Sequence, residues 1–295
     1  MPIISEYQVY VPVKEKRRFL NRSSMITIKK NFKNIKKKTV FLLTTAAIFI
    51  AYLNAYSNSK LPESVKQYSV KIIRSFPHDT QSFTQGFFFY SGKLYESTGL
   101  NGRSSLQRID ARTGLVEKKL FVKDVFAEGL ARWKNQLIQL TWKDKIAFIY
   151  KLSDFTKMGK FRYATEGWGL TADKRHLIMS DGSNTIYFRN PSTFTIEKTI
   201  QVKLNGISLN RINELEYVDG HIYANIWYEN FIVVIDPEDG TVVGHIDAST
   251  LFENMPPLSK DSVLNGIAYN KIDKTFYLTG KLWPTIFEVD LVPKN

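Results

Sequence analysis

One glutamate, one lysine, three tryptophans and three side-chain amides recur at matching points of a repeated pattern in this 295-residue chain. The pattern is carried by Phe83-Thr84-Gln85-Gly86-Phe87, Phe126-Ala127-Glu128-Gly129-Leu130, Glu166-Gly167-Trp168-Gly169-Leu170, Arg211-Ile212-Asn213-Glu214-Leu215 and Val263-Leu264-Asn265-Gly266-Ile267. The central position holds Gln85, Glu128, Trp168, Asn213 and Asn265 in turn. Equivalent positions that serve packing alone keep similar side chains, so divergence at a symmetric position marks a site. Glu128 is the acid–base group of the set, and an aromatic surround is expected to raise its pKa by desolvation. Lys281 is the cation of the set. Taken singly, Trp142, Trp168 and Trp227 are explained equally well by packing between repeats; taken with the charged pair they form a candidate binding wall. Trp133 and Trp283 fall outside the pattern and read as packing residues. His78, His176, His221 and His245 sit at unrelated repeat phases without metal-ligand spacing, so each reads as surface or structural and zinc chemistry is not expected. The absence of cysteine excludes disulfides, thiolate zinc sites and a cysteine nucleophile.

The elements that position these groups follow from the repeat. Anchors spaced by 43, 40, 45 and 52 residues suit propeller blades. Behind each anchor lies a run rich in β-branched and aromatic residues, at 94–99, 137–142, 177–182, 222–227 and 276–281. Turn signals such as Asp219-Gly220 separate the runs, and third strands follow at 106–110, 147–152, 185–189, 232–236 and 286–289. The fifth repeat ends after three strands, and residues 68–76 are a spare strand of suitable length. The expectation is an all-β, five-bladed β-propeller in which that N-terminal strand closes the last blade and leaves no free edge. Strands of a meander alternate in direction, so the entries of the first strands share a face with the ends of the second strands at Gly99, Trp142, Gly182, Trp227 and Lys281.

Charge placement argues against nucleic acid as a partner. Of the net +13, residues 1–60 hold 12 Lys/Arg and 2 Glu, leaving 29 basic and 26 acidic residues in 61–295. The excess sits beside an apolar run, where it sets membrane topology, rather than on the domain. Lys29 to Lys38 precede the apolar residues 40–53 and the small-residue stretch Ala55-Tyr56-Ser57, the layout of a secretory signal. The run is short for a membrane span, so a cleaved signal peptide is favoured over a signal anchor. Met25 is a more ordinary start for such a signal than Met1. Residues 1–60 are thus expected to be a basic head plus signal peptide or anchor. Residues 61–295 are expected to form the propeller domain that carries the candidate catalytic residues, exported to the periplasm or beyond. Membrane contact is restricted to residues 39–56 where the signal is uncleaved, and the domain is expected to be a monomer.

Several stretches together carry a resemblance: Arg74-Ser75-Phe76-Pro77-His78-Asp79, Tyr95-Glu96-Ser97-Thr98-Gly99-Leu100, Gln139-Leu140-Thr141-Trp142-Lys143, Asn213-Glu214-Leu215-Glu216-Tyr217 and Thr279-Gly280-Lys281-Leu282-Trp283-Pro284, with the anchors above. In this order through all five repeats, the chain resembles the papaya-latex type of glutaminyl-peptide cyclotransferase, a propeller family distinct from the zinc-dependent animal enzymes. The resemblance implies an aminoacyltransferase-class reaction that converts the N-terminal glutamine of a peptide or protein to pyroglutamate and releases ammonia. It implies Glu128 as acid–base, and Lys281 with Gln85 and Asn213 orienting the carboxamide. Trp142, Trp168 and Trp227 would box the glutamine, with Phe83 and Phe126 lining the same mouth and Asn265 joining by symmetry. No metal or other cofactor is implied. Residues 1–67 carry none of the family's motifs.

Two rival readings use the same residues. A non-catalytic propeller binding peptides or carbohydrates explains the tryptophans and leaves Glu128 and Lys281 without a task. A glycosidase would pair Glu128 with a second carboxylate, Glu166 or Glu214, at the separation such enzymes require. Glu214 and Glu216 otherwise read as loop-bracing or solvated groups, and Asp181-Gly182-Ser183-Asn184 as a turn rather than a calcium loop.

Overall fold

The structure, a computed structural model, describes residues 64–294; the basic head and the apolar run lie outside the described residues. The described chain is all-β apart from one helical turn. It opens with β1 (Lys66–Pro77) and then makes a four-stranded antiparallel meander of β2 (Thr84–Tyr90), β3 (Lys93–Thr98), β4 (Ser105–Asp110) and β5 (Val116–Phe121). A second meander comprises β6 (Ala127–Trp133), β7 (Gln136–Thr141), β8 (Ile146–Lys151) and β9 (Lys157–Arg162), and a third β10 (Leu170–Ala172), β11 (Leu177–Ser180), β12 (Thr185–Arg189) and β13 (Ile196–Gln201). After a small hairpin, β14 (Lys203–Leu204) and β15 (Ile207–Ser208), the fourth runs through β16 (Ile212–Val218), β17 (His221–Ile226), β18 (Phe231–Ile235) and β19 (Val242–Asp247). Helix α1 (Thr250–Glu253) leads to β20 (Leu264–Asn270), β21 (Thr275–Gly280) and β22 (Thr285–Pro293).

The last three strands obtain their fourth from the other end of the chain. β1 pairs antiparallel with β22 from Tyr68 opposite Pro293 to Pro77 opposite Thr285. Its first residues also pair in parallel with β19, Lys66 opposite Gly244, which joins the fourth and fifth meanders into one eight-stranded sheet. The outer strands β5, β9 and β13 are mostly exposed and carry Glu117, Lys119, Lys157, Lys160, Glu197 and Lys198 on their exposed positions, charges that discourage pairing with other chains.

The first strands β2, β6, β10, β16 and β20 pack side by side in that order, and β20 packs back against β2. Glycine makes this approach possible. A Cβ on Gly86 would lie 2.3 Å from Leu130 N, one on Gly129 2.5 Å from Leu170 N, and one on Gly169 2.0 Å from Asn213 O. The fourth repeat carries Glu214 at the same position, fully buried. Its carboxylate accepts the backbone N–H of Phe87 at 3.0 Å and of Ile267 at 2.9 Å, so one side chain ties the fourth repeat to the first and the fifth. Glu216 likewise accepts from Tyr269 N at 3.1 Å and Thr171 Oγ1 at 3.2 Å. Both glutamates therefore brace backbone, Glu214 fully enclosed and Glu216 half-buried.

Apolar side chains from facing sheets fill the spaces between meanders. Phe88, Tyr95 and Leu106 meet Leu130, Leu137 and Phe148 between the first and second, and Phe76, Phe87 and Leu94 meet Tyr277 and Ile286 between the fifth and first. Trp283 is wholly enclosed and stacks edge-on with Phe252 and Phe287, while Trp133 packs on the cluster between the second and third. Both tryptophans outside the repeat pattern are thus packing residues. Asp181 caps its turn by accepting Ser183 N at 3.1 Å, with Tyr187 Oη donating to its other oxygen at 2.8 Å.

Candidate active site

Four of the five inner strands break register where the divergent residue stands. The β2–β3 ladder slips between Thr84 and Gly86, β6–β7 between Ala127 and Leu130, β16–β17 between Ile212 and Leu215, and β20–β21 between Leu264 and Ile267. Such irregularities release a residue from the ladder and re-aim its side chain. The strand ends are pinned in the same four repeats: Gly99, Trp142, Trp227 and Lys281 donate their backbone N–H to the carbonyls of Phe83, Phe126, Arg211 and Val263, at 2.7 to 2.9 Å. The third repeat differs. β10 begins only at Leu170, Trp168 N donates instead to Ser180 O at 3.1 Å, and Gly182 accepts from Arg211 N. Gly182 has φ +82°, and a Cβ there would meet the Trp168 indole at 2.6 Å; its contribution is the space that ring occupies.

These side chains converge on a cavity of about 230 Å³. Phe83, Gln85, Phe126, Glu128, Trp142, Trp168, Asn213, Trp227 and Lys281 line it, joined by Tyr228 and Asp261, which the repeat pattern does not reach. Asn265 lies one layer deeper and does not line the cavity. Its Nδ2 donates to Thr84 O at 2.8 Å and to Gln85 Oε1 at 3.3 Å, which turns the Gln85 amide so that Nε2 donates to Glu128 Oε1 at 3.1 Å.

Glu128 and Lys281 are each 5% exposed. Burial lifts the Glu128 carboxyl well above the usual carboxylate range, the Lys281 cation draws it back in part, and the neighbouring Glu166 charge lifts it further. The same burial pulls Lys281 down to about 8 against the opposing attraction of Glu128. Lys281 Nζ lies 4.8 Å above the Phe83 ring and, among the described residues, has neither an ion-pair nor a hydrogen-bond partner. The Asn213 Oδ1 is also buried without a partner. A hydrogen-bond acceptor, a cation and a proton carrier thus face one small space with unspent capacity.

The aromatic wall is held edge to face. Trp168 and Trp227 stand at 90° with centroids 5.5 Å apart, Phe126 and Trp142 at 63° and 5.6 Å, and Phe83 and Phe126 at 89° and 6.1 Å. Glu166 Oε2 accepts the indole N–H of Trp142 at 2.7 Å and of Trp168 at 3.1 Å. Glu166 and Glu214, the carboxylates a glycosidase would pair with Glu128, are committed to the indoles and to the inner strands.

His78, His176, His221 and His245 all lie away from the cavity. His78 is buried against Glu96 at 3.0 Å and bonds the Trp283 carbonyl at 2.9 Å, a structural role below the loop that carries Lys281. Among the described residues no three His, Cys, Asp or Glu side chains cluster as a metal site would require.

An all-β frame that encloses one buried carboxyl, one buried amine and two amides behind aromatic walls, with an exposed carboxylate beside them, defines a class of protein: one that binds a small polar group and can move a proton on it. Comparison with known proteins narrows the class. The sequence model of the glutamine cyclotransferase family matches residues 43–291. A glutaminyl-peptide cyclotransferase of Arabidopsis thaliana is 34% identical over 286 residues, covering 92% of this chain and 89% of that protein. The crystal structure of the Myxococcus xanthus glutaminyl cyclase superposes with a TM-score of 0.75 at 38% identity, covering 78% of this chain and 100% of the other. The chain belongs to the glutamine cyclotransferase family.

Proposed function

We propose that this protein is a glutaminyl-peptide cyclotransferase whose chemistry is carried by Glu128 and Lys281 in the tryptophan-walled cavity. The observation that carries the proposal is that a buried carboxyl of raised pKa and a buried lysine with no ion-pair partner among the described residues line one space sized for a single amino-acid side chain. Five meanders with first strands packed in a closed order support reading the fold as a five-bladed β-propeller, with β1 as the fourth strand of the last blade.

The substrate brings both reacting groups in one residue, so the enzyme's task is conformational and electrostatic. The indoles of Trp142, Trp168 and Trp227 fold the glutamine side chain back on its own α-amine and exclude water. The neutral amine attacks the γ-carboxamide carbon, forming the ring C–N bond. Glu128 accepts the proton that this nitrogen sheds. The Lys281 ammonium, with the remaining N–H of the Gln85 amide, holds the carbonyl oxygen as charge develops on it, and the Asn213 amide oxygen accepts from the carboxamide N–H. Glu128 then returns the proton to the amide nitrogen, the C–N bond of the former carboxamide breaks, and ammonia leaves. The carboxyl ends as it began, and a raised pKa suits a group that must both take and give a proton near neutrality. Because Lys281 polarises the carbonyl, the proposal includes metal independence.

Mass spectrometry of a glutaminyl peptide incubated with the full chain and a metal chelator tests this reading: loss of one ammonia from the N-terminal residue supports it, and an unaltered peptide opposes it. The basic residues 29–38 ahead of the apolar residues 40–53 support placing this activity outside the cytoplasm, which fractionation would check.

A further inference from the structure

Tyr228 stands where the glutamine cavity opens onto a second groove, of about 660 Å³, walled by the chain between α1 and β20. Tyr228 lines both spaces. Its backbone is left-handed, φ 67°, as it is at Leu100 and Leu282, which follow the second-strand ends of the first and fifth repeats, and the residue is 49% exposed. The ring lies 4.6 Å from the Trp227 indole, at the rim of the cavity, and its hydroxyl donates to Asp261 Oδ1 at 3.4 Å. Asp261 is an exposed carboxylate that itself lines the cavity. The groove beyond is floored by the partly buried Phe252, Met255 and Leu258, with Glu253 and Lys260 farther along it. The same chain accounts for the 52-residue spacing of the last two anchors, against 40 to 45 elsewhere.

Cyclisation leaves the peptide bond after the glutamine intact, so the rest of the peptide must leave the cavity through an open side. We infer that the Tyr228–Asp261 rim and its groove receive the residues following the glutamine, with Asp261 favouring a cationic side chain at the second position. This rests on the cyclotransferase reading of the cavity. Continuity through Tyr228 supplies the path, and the carboxylate beside an exposed aromatic face supplies the complement for a lysine or arginine. Glu253 and Lys260 line the groove but not the cavity, whereas Asp261 is the exposed charged residue among those that line the cavity.

The test measures kcat/KM of the full chain on Gln-Lys-Ala, Gln-Ala-Ala and Gln-Glu-Ala amides, each expressed relative to Gln-Ala-Ala for the same enzyme. An exposed carboxylate that attracts lysine and repels glutamate should separate the two charged peptides by roughly tenfold, less at high salt. Asp261→Asn should bring that ratio to within about twofold, and Asp261→Glu should preserve it. A ratio near one in the unaltered protein, a ratio unchanged by Asp261→Asn, or an equal loss on all three peptides overturns the subsite; the last outcome would place Asp261 on the glutaminyl residue itself. Turnover of Gln-Ala-Ala amide separates these failures from failure of the cyclotransferase reading, in which no peptide reacts and the subsite falls with it.

Discussion

Glu166 accepts the indole N–H of Trp142 at 2.7 Å although the two residues belong to different repeats, and the same oxygen accepts Trp168 from its own repeat. One carboxylate thereby fixes the angle between two walls of the cavity and adds negative potential next to Glu128. Bonds from neutral donors to a charged acceptor are among the stronger ones, and this one is only partly screened.

Removing that brace should loosen the box without touching the reacting atoms. Glu166→Ala is expected to raise KM about tenfold with a smaller change in kcat, since the loss falls mainly on ground-state binding. Glu166→Gln keeps one acceptor and should fall between. Steady-state kinetics on one glutaminyl peptide separates the two constants; a fall in kcat alone would assign Glu166 to the chemical step.

The pH profile follows from Lys281. Burial depresses its pKa to about 8, so the cation present at neutral pH is lost as pH rises through that value. The substrate amine must be neutral to attack, and its ordinary pKa is about 7.7–8.0. kcat/KM should therefore rise on the acid side with the amine and fall on the alkaline side above about pH 8. Lys281→Arg, which stays charged throughout, should lose the alkaline limb while retaining measurable turnover. An unchanged alkaline limb in the variant would remove Lys281 from that role.

Glu214 predicts a stability effect without an activity rationale. Glu214→Ala leaves the N–H groups of Phe87 and Ile267 unpaired in the interior and opens a cavity among three inner strands. The cost is on the order of 2–4 kcal/mol, and the thermal midpoint should fall by roughly 5–15 °C. Calorimetry or thermal circular dichroism provides the measurement, and a shift within about 2 °C would contradict the bracing role.

The repeat made most of this legible before any coordinates. Gln85, Glu128, Asn213 and Asn265 could be aligned because an anchor glycine or glutamate follows each at the point where inner strands crowd together, and the second-strand ends at Trp142, Trp227 and Lys281 follow from strand alternation. Three features were beyond that logic. Strand alternation places Gly182 with the other strand ends, yet the third repeat lacks their register slip, and Gly182 makes room for Trp168 instead. Glu166 is two residues from Trp168 in sequence, but its bond to Trp142 depends on how adjacent repeats are rotated, which spacing does not encode. Tyr228 follows the strand end at Trp227, but its equivalents Leu100, Lys143, Ser183 and Leu282 share no residue type that marks the position, and Asp261 comes from a loop of irregular length, where no repeat phase exists to be read. The helical turn α1 and the β14–β15 hairpin are invisible to the pattern for the same reason.

The central claim is that Glu128 shuttles the proton between amine and leaving nitrogen, and Glu128→Gln tests it most directly because the amide keeps the shape and can still bond Gln85. Ammonia release from a glutaminyl peptide should fall by roughly 10²–10⁴ in kcat, with KM within a fewfold of the unaltered protein and the thermal midpoint no lower. Turnover at the unaltered rate would contradict the account and move the acid–base role away from Glu128.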